Sequence, residues 1–137
     1  MTQPLLEWKD EFVIGVEQLD IEHKNFINRL NELHGKMNHR HGDRYKIEGY
    51  LKEIYDRILA HFTMEEELMR DTDYPDYVQH KKEHDDFLVT VNDIIGQYRT
   101  DPNFSFHDTL EAILQHWISN HITTSDQALG SHIKRNW

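Results

Sequence analysis

Residues 47–75 read IEGYLKEIYDRILAHFTMEEELMRDTDYP, and this stretch decides the fold. Ile47, Leu51, Ile54, Ile58, Phe62 and Leu68 recur in it at helical spacing, and no period-two alternation competes. No proline interrupts the pattern until Pro75, which follows the stop signal Asp71-Thr72-Asp73. Pro75 suits the first turn of a helix, so it is read as both a stop and a restart.

Three further stretches repeat the pattern. Val16, Leu19, Phe26, Ile27, Leu30 and Leu33 precede a break at His39-Arg40-His41-Gly42-Asp43. Val78, Phe87, Leu88, Val91, Ile94 and Ile95 fade near Gly96 and end before Asp101-Pro102-Asn103. Leu110, Ile113, Leu114, Trp117, Ile118, Ile122 and Leu129 follow Ser105, with Asp108 three residues on as an N-terminal capping pair. The spacing predicts helices over about 18–38, 43–71, 75–99 and 105–132. Short connections favour antiparallel neighbours, so the expectation is all-α: an up-down-up-down four-helix bundle. Residues 1–17, with Pro4 and Gly15, are expected to form an extended arm packed by Leu5, Trp8, Phe12 and Ile14.

The chain has 137 residues, a size that fits one domain over 1–137, since single cores span about 100–200 residues. Lys+Arg number 15 and Asp+Glu 25, for a net charge of -10, which disfavours a nucleic-acid partner. Hydrophobic content is 37%, yet aromatics reach 11%, more than an acidic disordered chain carries. No apolar run approaches the roughly 20 residues of a membrane span, and the opening residues lack a signal-peptide pattern. A cytoplasmic monomer is the resulting expectation.

There are 11 histidines and no cysteine. Thiolate zinc, iron–sulfur and cysteine-nucleophile chemistry are therefore excluded, while imidazole and carboxylate ligands are plentiful. His61 and Glu65 are four residues apart, as are His80 and His84, so each pair shares a helix face. His23 lies early in the first helix and the His61/Glu65 pair late in the second. His80/His84 fall early in the third, and His121 with Asp126 late in the fourth. In an antiparallel bundle all seven occupy one end, within about two turns at roughly 1.5 Å of rise per residue. A single surface histidine is ordinary; agreement of level across four helices is not.

One spacing strains this reading. His121 and Asp126 are five apart, about 140° of rotation on a regular helix, so reaching one centre requires side chains that wrap or a local distortion.

Five imidazoles and two carboxylates suit a transition metal such as iron better than calcium or magnesium, and exceed one tetrahedral zinc. They suit two ions if both carboxylates bridge. With a shared oxide or hydroxide, one position of two octahedral ions stays open for a small ligand.

The sequence resembles the bacterial single-domain members of the hemerythrin family over nearly its whole length. Trp8, Val16-Glu17-Gln18-Leu19-Asp20-Ile21-Glu22-His23-Lys24 and His61-Phe62-Thr63-Met64-Glu65-Glu66 carry the resemblance. So do Tyr74-Pro75, His80 with His84, and Trp117-Ile118-Ser119-Asn120-His121-Ile122 leading to Asp126. It implies reversible dioxygen binding at a non-haem di-iron centre, two iron ions cycling between Fe2+ and Fe3+ with a bridging oxo or hydroxo group. By that pattern His80, His84 and His121 hold the coordinatively complete iron. His23 and His61 hold the iron with the vacant position, and Glu65 and Asp126 bridge. Phe62, Trp117 and Ile118 match positions of a dry oxygen pocket, to which Phe26 and Ile27, just after His23, are added here.

Glu66 is expected to point away from the centre by about 100°. His116 is a candidate neighbour of His121, while His34, His39, His41, His107 and His132 have no matched role. The alternatives to oxygen carriage are a di-iron peroxidase, oxidase or reductase, and a sensing module acting through a separate redox or enzyme partner. Carboxylate-rich oxidase sites use four glutamates and two histidines. The imidazole-rich set here favours carriage over catalysis.

Overall fold

A computed structural model describes residues 5–38, 44–101 and 106–135. Its helices are α1 (Glu17–Asn38), α2 (Arg44–Asp71), α3 (Tyr77–Thr100), α4 (Phe106–His121) and α5 (Gln127–Arg135). A five-residue π turn, Ile122–Asp126, joins α4 to α5, so the fourth rod of the bundle runs on to Arg135. Each rod packs against the next in sequence, giving the up-down-up-down arrangement. The described residues contain no strand, and no helix is long and apolar enough to cross a membrane.

The end of α2 explains why α3 begins at Tyr77 instead of Pro75. Asp73 takes the left-handed conformation at φ 52°. Its N–H donates to the Arg70 carbonyl, and the Tyr74 N–H reaches back to Met69 at 2.9 Å. These are the paired bonds of a Schellman cap, and Tyr74 and Met69 share the apolar cluster that accompanies it. Pro75 therefore sits beyond a finished cap, in the turn. The proposed Ser105–Asp108 capping pair, and His39 and His41, lie outside the described residues.

The arm is not uniformly extended, because Asp10–Phe12 form a 3-10 turn. Phe12, Leu5 and Ile14 are buried, and Trp8 packs edge-on against Phe12. With no strand partner, side chains satisfy the arm's backbone. The Asn31 side chain bonds both the N–H and the carbonyl of Leu6, and the Gln115 amide donates to the Leu5 carbonyl. Gln127 donates to the carbonyls of Glu11 and Val13, and Lys134 to that of Ile14. Asp20 accepts from the N–H groups of Ile14 and Gly15, fixing the entry to α1. Gly130 of α5 is required by this packing, since a Cβ there would collide with Ile14 Cγ2.

Two apolar clusters result. The larger runs along the bundle through Leu30, Leu51, Ile58, Phe62, Val91 and Leu114. The smaller, of Ile14, Val16, Leu19, Met69, Tyr74, Leu129 and Ile133, closes the end where α5 and the arm meet the α2–α3 turn. Each fully buried leucine, isoleucine or phenylalanine contributes about 1.5–3 kcal/mol of transfer free energy. Polar groups at the level between the two clusters are cut off from water on both sides.

Candidate metal centre

All seven sequence-selected residues converge there. His23 comes from α1, His61 and Glu65 from α2, His80 and His84 from α3, His121 from the end of α4 and Asp126 from the π turn. They are 0–5% exposed. Their donor atoms fall into two groups, Glu65, His80, His84, His121 and Asp126, and His23, His61, Glu65 and Asp126. The two carboxylates belong to both.

The carboxylate oxygens divide accordingly. Glu65 Oε2 lies 3.0 Å from His23 Nε2 and 3.1 Å from His61 Nε2. Its Oε1 lies 3.3 Å from His80 Nε2 and 3.2 Å from His84 Nε2. Asp126 Oδ2 faces His23 Nε2 at 3.1 Å, and its Oδ1 faces His121 and His80 at 3.1 and 3.2 Å. Each carboxylate therefore offers one oxygen to a two-histidine side and one to a three-histidine side.

The strained spacing is resolved by the backbone. The π turn between His121 and Asp126 adds a residue to one helical turn, and wider turns bring positions five apart onto one face. Its local bonding shows side chains competing for helix carbonyls, with Thr123 donating to Ser119 and Thr124 to Asn120.

Several contacts make poor sense without a cation. His121 Nε2 lies 3.1 Å from His84 Nε2 and 3.0 Å from His80 Nε2, a crowd of nitrogens that shared protons cannot all satisfy. Asp126 Oδ1 is buried without a hydrogen bond, despite two imidazoles within reach, because the atoms aim at a common point and not at each other. For metal–ligand bonds of about 2.1 Å, neighbouring ligands stand about 3.0 Å apart in an octahedron and about 3.4 Å apart in a tetrahedron. Six of the nine contacts, at 3.0–3.1 Å, are nearer the octahedral spacing.

Electrostatics agree. Burial alone would push the His23 and His80 imidazoles down, but the close approach and charge of the Asp126 and Glu65 carboxylates override it, raising both from 6.5 to about 10. Burial would likewise raise Glu65, yet His61, His23 and His80 hold it well below the usual carboxylate range. Asp126 is also lowered: burial and the Glu65 charge oppose this, and His121 and His23 prevail. Without metal, His23 and His80 would carry protons that an incoming ion must displace.

Aromatic rings pack against three of the histidines. Phe26 stacks on His61 at 4.4 Å, Phe62 on His84 at 3.8 Å and Trp117 on His121 at 4.3 Å. Ile27 and Ile118 are buried in the adjoining core. Phe87 stacks beneath Trp117 at 4.0 Å; its place three residues after His84 was the available signal.

Two neighbours corrected or escaped the sequence reading. Glu66 does not point away: its Oε2 lies 3.0 Å from His84 Nδ1, because α3 passes beside it and the side chain spans the gap. Glu83 Oε2 sits 3.2 Å from His121 Nδ1 and accepts a 2.6 Å hydrogen bond from Ser125. Of the other histidines, His132 donates to the Thr72 carbonyl at 2.6 Å, tying α5 to the α2 cap. His116 is exposed on the rim of a surface depression with Glu11 and Asn120, and does not serve His121. His34 is buried at the other end of the bundle with neither ring nitrogen hydrogen-bonded.

An all-α bundle that buries two adjoining histidine–carboxylate pockets sharing both carboxylates is the scaffold of a two-metal protein. Residues 14–133 match the Hemerythrin HHE cation binding domain, and the chain belongs to the hemerythrin family. It is 32% identical to a bacteriohemerythrin of Stenotrophomonas maltophilia, over 95% of this chain and 82% of that protein. It is 28% identical to a myohemerythrin of Theromyzon tessulatum, over 88% of this chain and 87% of that one. Among solved structures, a wild-type hemerythrin superposes with a TM-score of 0.79 at 29% identity, covering 93% of this chain and 96% of the other.

Proposed function

We propose that this chain, as one domain over 1–137, binds dioxygen reversibly at a di-iron centre held by the seven convergent residues. The observation that carries the reading is the sharing of Glu65 and Asp126 between the two donor groups. Both carboxylates are turned so that each oxygen serves a different side. His80, His84 and His121 would hold one iron and His23 and His61 the other, the side with fewer donors being the one that would take dioxygen. An oxo or hydroxo group would be the further ligand of such a pair. An iron pair held by these residues would supply reversible two-electron chemistry toward dioxygen.

The chain's own residues then keep the exchange reversible. Phe26 lies flat on His61, beside the side with fewer ligands, and with Ile27, Phe62, Trp117 and Ile118 it forms an apolar wall that excludes water and anions. A dry wall matters because solvent or anion access to a bound iron pair would make oxygen uptake harder to reverse. Five imidazoles against two carboxylates keep the ligand field less anionic than a four-glutamate site, so oxidised iron is not favoured outright. This supports binding over catalysis.

Among the described residues the large exposed apolar side chains, Val13, Ile21, Tyr45, Leu59, Val78 and Val89, are spread over the arm and three helices. That supports a monomer, placed here in the cytoplasm, with re-reduction by a separate partner; gel filtration and cell fractionation test both placements. The function itself is tested by the visible spectrum of the ferrous protein through cycles of air and inert gas. A charge-transfer band that appears and disappears with each cycle is expected. Immediate, permanent oxidation with turnover of peroxide or another substrate would place the chain among di-iron enzymes instead.

A further inference from the structure

The two sides of the centre differ in a respect that the donor set does not reveal. On the three-histidine side, His84 and His121 each turn Nδ1 toward a carboxylate, Glu66 at 3.0 Å and Glu83 at 3.2 Å. On the two-histidine side, His23 Nδ1 and His61 Nδ1 are both buried with no hydrogen-bond partner. Every donor histidine aims Nε2 inward, so Nδ1 is the atom through which the protein can steer the ring and tune its basicity. A carboxylate accepting from Nδ1–H fixes the tautomer, holds the ring plane and pushes electron density toward the coordinating nitrogen.

Both outer carboxylates are themselves held in place. Glu66 Oε1 lies 3.6 Å from Lys81 Nζ, and Lys81 is tied in turn to Asp85. Glu83 accepts from Ser125 Oγ, and Ser125 belongs to the π turn that also presents Asp126. Ser125 and Asp126 thus link one distorted turn both to the shared carboxylate and, through Glu83, to the ring of His121.

We infer that Glu66 and Glu83 are positioning residues that make the two metal positions unequal, so that the three-histidine position fills first and holds its ion more tightly. This rests on the two-metal reading above. The two-histidine position, whose imidazoles have no hydrogen-bond partner at Nδ1 among the described residues, takes the second ion and releases it first. The arrangement suits a site in which one ion stays fixed while the other keeps a free position for its ligand.

The test is a titration of metal-free protein with Co2+, read by visible absorption and by the paramagnetically shifted imidazole N–H resonances. Two resolved steps are expected. The first brings up hydrogen-bonded Nδ1–H signals from His84 and His121, and the second brings up signals from His23 and His61 that lack a carboxylate acceptor. Glu66→Gln and Glu83→Gln keep an oxygen acceptor while removing the charge. Each should weaken the first step about 10–100-fold and leave the second within a few-fold. Ser125→Ala should reproduce a smaller loss in the same step. Thermal melting of the metal-free variants checks that the fold is intact.

Two equal steps in the unaltered protein would overturn the inference, as would glutamine variants that leave the first step untouched or weaken both steps alike. His84→Ala separates this failure from failure of the ligand assignment. If His84→Ala still takes two ions at unaltered affinity, the assignment itself falls. If it loses the first step while both glutamine variants are silent, the ligands stand and the positioning role of Glu66 and Glu83 does not.

Discussion

The two ends of this bundle are built by the same helices under opposite rules. At one end, seven ionisable side chains are buried among themselves, with contacts of 3.0–3.3 Å. At the other, Leu5, Met37, Ile54, Leu110 and Leu114 close a small cavity around His34, a buried histidine among apolar neighbours. His34 is 7% exposed, has no hydrogen-bond partner, and lies 3.7 Å from Glu111. Buried polarity is tolerated at the first end because each group meets an opposite charge and, on our reading, a metal ion. At the second end His34 meets only the partly exposed Glu111. The contrast separates what the fold requires from what the function requires.

Substituting a shared donor should break the contrast most severely. Glu65→Ala removes an oxygen from both donor groups and leaves imidazoles facing each other, so metal analysis should find fewer than two irons per chain, with affinity lower by at least about 100-fold. Leu114→Ala at the apolar end should do the reverse. It should cost about 2–5 kcal/mol in urea unfolding of the metal-free protein, while two irons are still taken up.

The pH response of the metal-free protein sharpens the comparison next. Folded His23 and His80 titrate at about 10 against 6.5 ordinarily, so their stabilisation is complete below pH 6.5 and is lost as pH rises toward 10. Glu65 and Asp126 are lowered from ordinary values of 4.5 and 3.8, so their contribution is present above those values and lost as pH falls below them. Melting temperature should therefore peak between about pH 4.5 and 6.5 and fall on both sides. Glu65→Gln should flatten the alkaline fall.

The smallest effect is expected at His34. His34→Leu replaces an unpartnered buried ring with an apolar side chain and should stabilise the protein by about 1 kcal/mol, read by urea unfolding, with no change in metal content. The matching change at the other end, His84→Leu, should lose metal.

Much of this was legible from residue spacing. The four rods follow from apolar periodicity, and the His61/Glu65 and His80/His84 pairs share faces because regular helices place positions four apart together. The five-residue gap between His121 and Asp126 announced a conflict, but not its resolution. A π turn depends on which carbonyls lose their partners, a property of the packed backbone. Glu66 was misjudged because angular position on one helix ignores how far a side chain reaches toward the next. Glu83 gave no signal, since it acts through His121, 38 positions away in sequence and on another helix. The start of α3 was displaced from Pro75 because the cap at Asp73 is set by two backbone bonds that the proline only follows.

Oxygen uptake by the fully ferrous protein tests the central claim most directly, measured together with iron content in a closed cell through repeated cycles of addition and removal. The account predicts one dioxygen taken up for every two irons and the same amount recovered on each removal. Dioxygen that is consumed without being recovered, or taken up in proportion to single irons, would contradict it.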